Sequence, residues 1–157
     1  MVRPSIAEYR IFCATGGVTV SSGRSWPLRA GSTVSGASLR TLTQTASTAY
    51  RFALSLIEQG HRLSHLFFYQ DGVHNGNGLH APASDETDLV ALWRELALAQ
   101  GIAIDVCVAA AMRRGVLDEA EAKGVGKTQF NLQAPFRLSG LGQLAEASLT
   151  ADRFVQF

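Results

Sequence analysis

Apolar residues recur at helical spacing from Thr43 to Gln59, with Ala46, Ala49, Tyr50, Ala53, Leu56 and Ile57 on one face. Thr43 or Thr45 suits the amino-terminal cap and Gly60 the stop. Leu63–Tyr69 (LSHLFFY) follows as an aromatic strand, ended by Asp71 and Gly72. Val73–Ala83 reads as a Gly/Asn/His loop closed by Pro82. Ser84 or Asp85 is predicted to cap a second helix that runs to Gln100, with Leu89, Leu92, Trp93 and Leu96 on one side and Gly101 after it. Ile102–Val108 (IAIDVCV) has the near-continuous apolar character of a strand buried on both faces. A small-residue turn, Ala109–Ala111, leads into Arg113 and Arg114. Leu117–Lys123 predicts a short helix and Lys123–Arg137 a loop. A last helix, Leu141–Thr150, begins at Ser139 or Gly140, and Arg153–Phe157 makes a final strand.

Helix and strand thus alternate from Thr43 to the carboxyl end. That order implies an α/β fold: a single three-layer domain with a mostly parallel central sheet and helices on both faces. Such a sheet needs an opening strand before Thr43. Thr33–Leu39 is too polar for it, and Tyr9–Val20 (YRIFCATGGVTV) is interrupted by Gly16 and Gly17. Residues 1–40 are rich in Ser, Gly, Thr and Arg, and Glu8 is their single acid. They read as an atypical amino-terminal extension to a domain spanning 41–157. A targeting segment, a disordered extension and a misread start all fit that composition, so the source of the first strand stays open here.

The 157 residues suffice for one domain with a sizeable core. A net charge of +1 with 17% charged residues gives no electrostatic reason for direct nucleic-acid contact. No apolar run reaches membrane-spanning length, and no secretory signal is visible in the first thirty residues. Two cysteines, Cys13 and Cys107, are too few for a disulfide framework or a cysteine-rich zinc site, which fits a reducing, cytoplasmic setting.

Few residues then remain to carry chemistry. Gly124–Thr128 (GVGKT) suggests a phosphate loop, but Glu121 stands where the first glycine belongs and the preceding residues are helical, so an exposed turn fits better. His74 and His80 share one loop with Asp71, without a spacing that defines a metal site, while His61 and His65 read as structural. The acids Asp85, Glu86 and Asp88 suit a helix's first turn, and Asp118, Glu119 and Glu121 a solvated face. Cys107 is the remaining candidate. Between two valines it is most simply a core side chain. At the carboxyl end of a strand, where α/β folds place their chemistry, it also suits a nucleophile if exposed.

Three blocks carry a resemblance: FFYQDGVHNGNGLHAPASDETDLVALW (Phe67–Trp93), DVCVAAAMRRGVLDEAEA (Asp105–Ala122) and FRLSGLGQLAEASLTADRFVQF (Phe136–Phe157). In this order they resemble the DsrE/TusD family of sulfur-relay sulfurtransferase subunits, over about Thr43 to Phe157. The resemblance implies the same α/β fold and an active cysteine in the motif CVAAAxRRG, which spans Cys107 to Gly115 here. Cys107 would take sulfane sulfur from a TusA-like donor as a persulfide and pass it to a TusE-like acceptor, towards 2-thiolation of a tRNA wobble uridine. TusB-like and TusC-like subunits are the implied partners, in a dimer of heterotrimers, and no metal or organic cofactor is implied. A DsrE-like role in sulfur oxidation and a non-catalytic scaffold are the alternatives. Arg113 and Arg114 would either favour the sulfur anion or face solvent and partners. Relatives begin with a short hydrophobic strand just before the first helix. Counting back puts it near Ser32–Leu39, where this chain departs from the pattern.

Overall fold

The computed structural model describes residues 6–13, 19–22 and 41–157. Among them, six strands form one sheet: β1 (Glu8–Cys13), β2 (Thr19–Ser22), β3 (Arg62–Phe68), β4 (Ile104–Cys107), β5 (Phe136–Ser139) and β6 (Arg153–Gln156). Their spatial order is β2-β6-β1-β3-β4-β5. The five strands from β6 to β5 are parallel, and β2 adds antiparallel to β6. The helices are α1 (Thr41–Glu58), α2 (Leu89–Gln100), α3 (Val108–Arg113), α4 (Glu119–Gly124) and α5 (Leu141–Thr150), and a 3₁₀ turn covers Gln70–Gly76. This is the α/β fold that the helix–strand alternation predicts.

The first strand comes from within the segment read as an extension. Glu8–Cys13 pairs with β3 on one side and β6 on the other, so it lies inside the sheet. Strands β1 and β2, which precede residue 41, thus belong to the same sheet as the rest. Ile11, Phe12 and Cys13 are buried, which is the apolar run a doubly covered strand needs. The alternative position, Ser32–Leu39, lies outside the described residues. Strand β5 is a second difference, because Phe136–Ser139 falls partly in the expected loop. It is an edge strand of four residues with only Phe136 buried, too short for a periodic signal. Helix α2 starts at Leu89 rather than near Ser84, since Asp88 is the residue whose side chain accepts from the Ala91 amide, at 3.0 Å.

The pairing sorts side chains by face. Ile11, Leu66, Ile104 and Phe136 are aligned partners across four strands and form one buried row. Phe68 lies on the same side and meets Trp93 of α2 edge-on at 5.5 Å, and Trp93 meets Tyr50 of α1 at 5.1 Å. So α1 and α2 cover this face. The opposite row is Phe12, Phe67, Asp105 and Arg137. There α5 approaches β1, with Arg10 Nη1 donating to the Ala147 carbonyl at 2.7 Å.

Asp105 is the one buried charged side chain among the described residues, with no exposed surface. A carboxylate in that position must be paired. Arg137, its direct neighbour on β5, donates Nε to Asp105 Oδ1, and His65 Nε2 of β3 lies 3.1 Å from Oδ2. The histidine approach is close but poorly aligned, so the directed hydrogen bond is the arginine's. Burial alone would raise the carboxyl pKa, but the close approach of His65 and the hydrogen bond and charge of Arg137 outweigh it and hold Asp105 below the ordinary aspartate value. One carboxylate thereby fastens β3, β4 and β5 together.

Two outcomes test this packing. Gly72→Ala should destabilise the protein by about 2 kcal/mol, the range for overpacking against a wall that cannot yield. A Cβ there would lie 2.5 Å from the Cys13 carbonyl oxygen, which already accepts from the Tyr69 amide. Urea unfolding reads the loss, and an unchanged midpoint would refute the close contact. Asp105→Asn should lose about 2 kcal/mol at pH 7, the scale of a charged hydrogen bond. Because the folded pKa is lowered, that stabilisation is complete above the ordinary value of 3.8 and fades as pH falls below it. The gap between wild type and variant should accordingly narrow in acid unfolding curves. A gap that stays constant through that range would mean that the charge on Asp105 contributes nothing.

Candidate functional site

Cys107 ends β4 and occupies the cap position of α3. The chain passes directly from strand to helix there, so the small-residue turn expected at Ala109–Ala111 is instead helical. Ala110 and Ala111 are buried, and their lack of bulk lets this short helix sit down on the strand end. The sulfur accepts no hydrogen bond from the first turn. Strand alternation puts Cys107 on the same face as Asp105, two residues before it, with Ser139 as its neighbour on β5. Its exposure is 2%. The structure therefore differs from the exposed thiol that a strand-end nucleophile suggested. The physical reason is the same alternation: the residue still belongs to the strand and points into a layer, rather than over its end.

The two arginines of the motif have different fates. Arg114 Nε donates to Asp71 Oδ1 at 2.7 Å and its Nη1 to the Ala110 carbonyl at 3.3 Å. It ties α3 to the 3₁₀ turn after β3. Arg113 is exposed and has no ion-pair partner among the described residues. Asp71 and Arg114 thus join the turn after β3 to α3, the helix that Cys107 leads.

Cys13 lies at the end of β1, two strands from β4 in the sheet order, and on the other face, beside Phe68. Both thiols are free. Burial pushes the Cys13 thiol up to about 12, so it stays protonated and a poor nucleophile at neutral pH. Cys13 lines a cavity of about 320 Å³ at the carboxyl ends of the strands, below the start of α2. His74 and His80 both line it, along with Asp71 and Glu86. The tertiary fold does bring the two loop histidines to one space, although no group of three or more His, Cys, Asp or Glu side chains among the described residues is arranged to hold a metal. Cys107 is not part of that wall. The other histidines are structural contacts: His61 Nδ1 accepts from the Ala7 amide at 3.3 Å, and His65 faces Asp105. The GVGKT segment ends α4 and turns through Gly126 at φ 71°, exposed throughout.

Two features escaped the sequence reading. The His65–Asp105–Arg137 set needed the register of three strands, although an aspartate inside IAIDVCV was a visible signal, since a charge in an apolar run demands a partner. The Asp71–Arg114 pair joins residues 43 positions apart and left no local trace.

Comparison with known proteins agrees with this fold. The crystal structure of the YchN protein from E. coli superposes with a TM-score of 0.58 at 18% identity, covering 98% of this chain and 100% of that one. At that identity the likeness concerns the fold alone. No helix among the described residues is long and apolar enough to cross a membrane. The profile of the DsrE/DsrF-like family, which is associated with sulfur transfer, matches residues 39–157, a stretch that includes β3 to β6, Cys107 and both motif arginines. The chain therefore belongs to the DsrE/DsrF-like family.

Proposed function

We propose that this protein is a TusD-type sulfurtransferase subunit that carries sulfane sulfur on Cys107. The observation that carries the reading is the place of this cysteine: in a DsrE/DsrF-like chain it ends an interior parallel strand and leads a small-residue helix. The transfer is an exchange between sulfurs. The Cys107 thiolate attacks the outer sulfur of a donor persulfide, a new S–S bond forms at Cys107, and the donor's own S–S bond breaks. The donor leaves as a thiolate, so no external oxidant or reductant enters. A second exchange hands the outer sulfur to an acceptor thiol and restores Cys107. Cys13 is unsuited to this role, because its protonated thiol sits at the end of a different strand.

In this reading the donor is TusA-like and the acceptor TusE-like, and the sulfur proceeds to 2-thiolation of a tRNA wobble uridine in the cytoplasm. TusB-like and TusC-like subunits complete a heterohexamer. The relay cysteine is nearly covered in the single chain, so loading requires local opening around the end of β4. That same burial favours one second reading: a scaffold subunit in which Cys107 only packs.

Intact-mass spectrometry separates the two. Wild-type protein incubated with a persulfide donor should gain the mass of one sulfur at Cys107 and lose it to reductant, by the one-thiol stoichiometry of exchange. Cys107→Ser should fold and gain none, and Cys13→Ser should load as wild type does. Wild-type protein that takes up no reducible sulfur would leave the scaffold reading standing.

A further inference from the structure

A persulfide on Cys107 places a sulfur anion where the residue itself is only 2% exposed. A poorly solvated anion needs a cation beside it. The cations around this strand end differ in what they have left to give. Arg114 is spent on Asp71 and the Ala110 carbonyl. Arg10 is spent on the Ala147 carbonyl, Thr150, Ser64 and Glu8. His65 faces Asp105. Arg137 is different: its Nε is fixed on Asp105, while its two terminal nitrogens make no hydrogen bond among the described residues. It points from the same sheet face as Cys107, one residue pair back, because Arg137 is aligned with Asp105 and Ser139 with Cys107. That step is roughly 6.6 Å along a strand. An arginine side chain spans such a step, and the added S–S bond of about 2 Å shortens the gap from the other side.

Resting on the carrier reading above, we propose that Arg137 is the counter-ion of the persulfide on Cys107, and that Asp105 holds its guanidinium in position for this. The buried carboxylate is then more than a cross-strand fastener. It takes the Nε–H and leaves the outer edge of the planar fork for the sulfur anion, a division of labour that a single ammonium cannot reproduce. Arg113, exposed on α3, is the competing cation and serves as the comparison.

The test is the equilibrium of sulfane sulfur between glutathione persulfide and the full-length protein, read by intact mass. Three variants accompany the wild type: Arg137→Gln, Arg137→Lys and Arg113→Gln. Thermal unfolding of each is the control for structure. Arg137→Lys keeps a positive charge for Asp105 and should unfold near the wild-type temperature, yet its ammonium is occupied there. Both Arg137 variants should therefore hold the persulfide about tenfold less well, the scale of one charge-assisted hydrogen bond, and Arg113→Gln should match wild type. If Arg137→Lys loads as wild type does, Arg137 only supports the sheet and the inference is overturned. A loss confined to Arg113→Gln overturns it equally. Should wild-type protein itself take no sulfur, the carrier reading fails first, and the inference with it. Should Arg137→Gln not fold, the lysine variant decides.

Discussion

Strand β1 is the joint of this sheet. Neither β3 nor β6 pairs with the other; each pairs with β1. The backbone shows the dependence at both ends of the strand. The Arg62 amide donates to the Ala7 carbonyl, the Tyr69 amide to Cys13, and the Phe157 amide to Phe12. Remove those six residues and the carboxyl-terminal strand, with β2 on its outer side, has no place to attach. Everything on the far side, β4 with Cys107 and β5 with Arg137, takes its position from β3, whose outer partner is this one strand.

Parallel strands also explain where the two thiols lie. Their carboxyl ends lie on one edge of the sheet, so Cys13, the 3₁₀ turn, Cys107 and the start of α3 gather there. The two thiols nevertheless face opposite layers of the sheet. Cys13 faces the α1 and α2 layer and is held protonated by burial. Cys107 faces the other layer, in line with a buried carboxylate and an arginine that has hydrogen-bonding capacity to spare.

The charged row on the α5 face has a clear energetic logic. Asp105 loses its hydration entirely, and a buried ion pair stabilises little by itself. Its partner Arg137 remains 61% exposed, so one of the two charges keeps most of its water. That arrangement lowers the cost of the pair and leaves the guanidinium's outer edge available. The same residues thus serve the sheet through Nε and stay open to an anion through the terminal nitrogens.

Local pattern was enough for much of this protein. The helical spacing of Ala46 to Ile57, the LSHLFFY strand, the apolar IAIDVCV run and the closing RFVQF strand each specify their element through side-chain periodicity. The family blocks singled out Cys107, and the order of elements implied a parallel sheet. Three matters were beyond local reach. Glu8–Cys13 looked like part of an extension, because only long-range pairing with β3 and β6 makes it a central strand. Phe136–Ser139 is too short to announce itself and becomes a strand because β4 offers it an edge. The burial of Cys107 and its alignment with Asp105 and Arg137 depend on which way three strands face, and register is a property of the folded sheet rather than of any one segment.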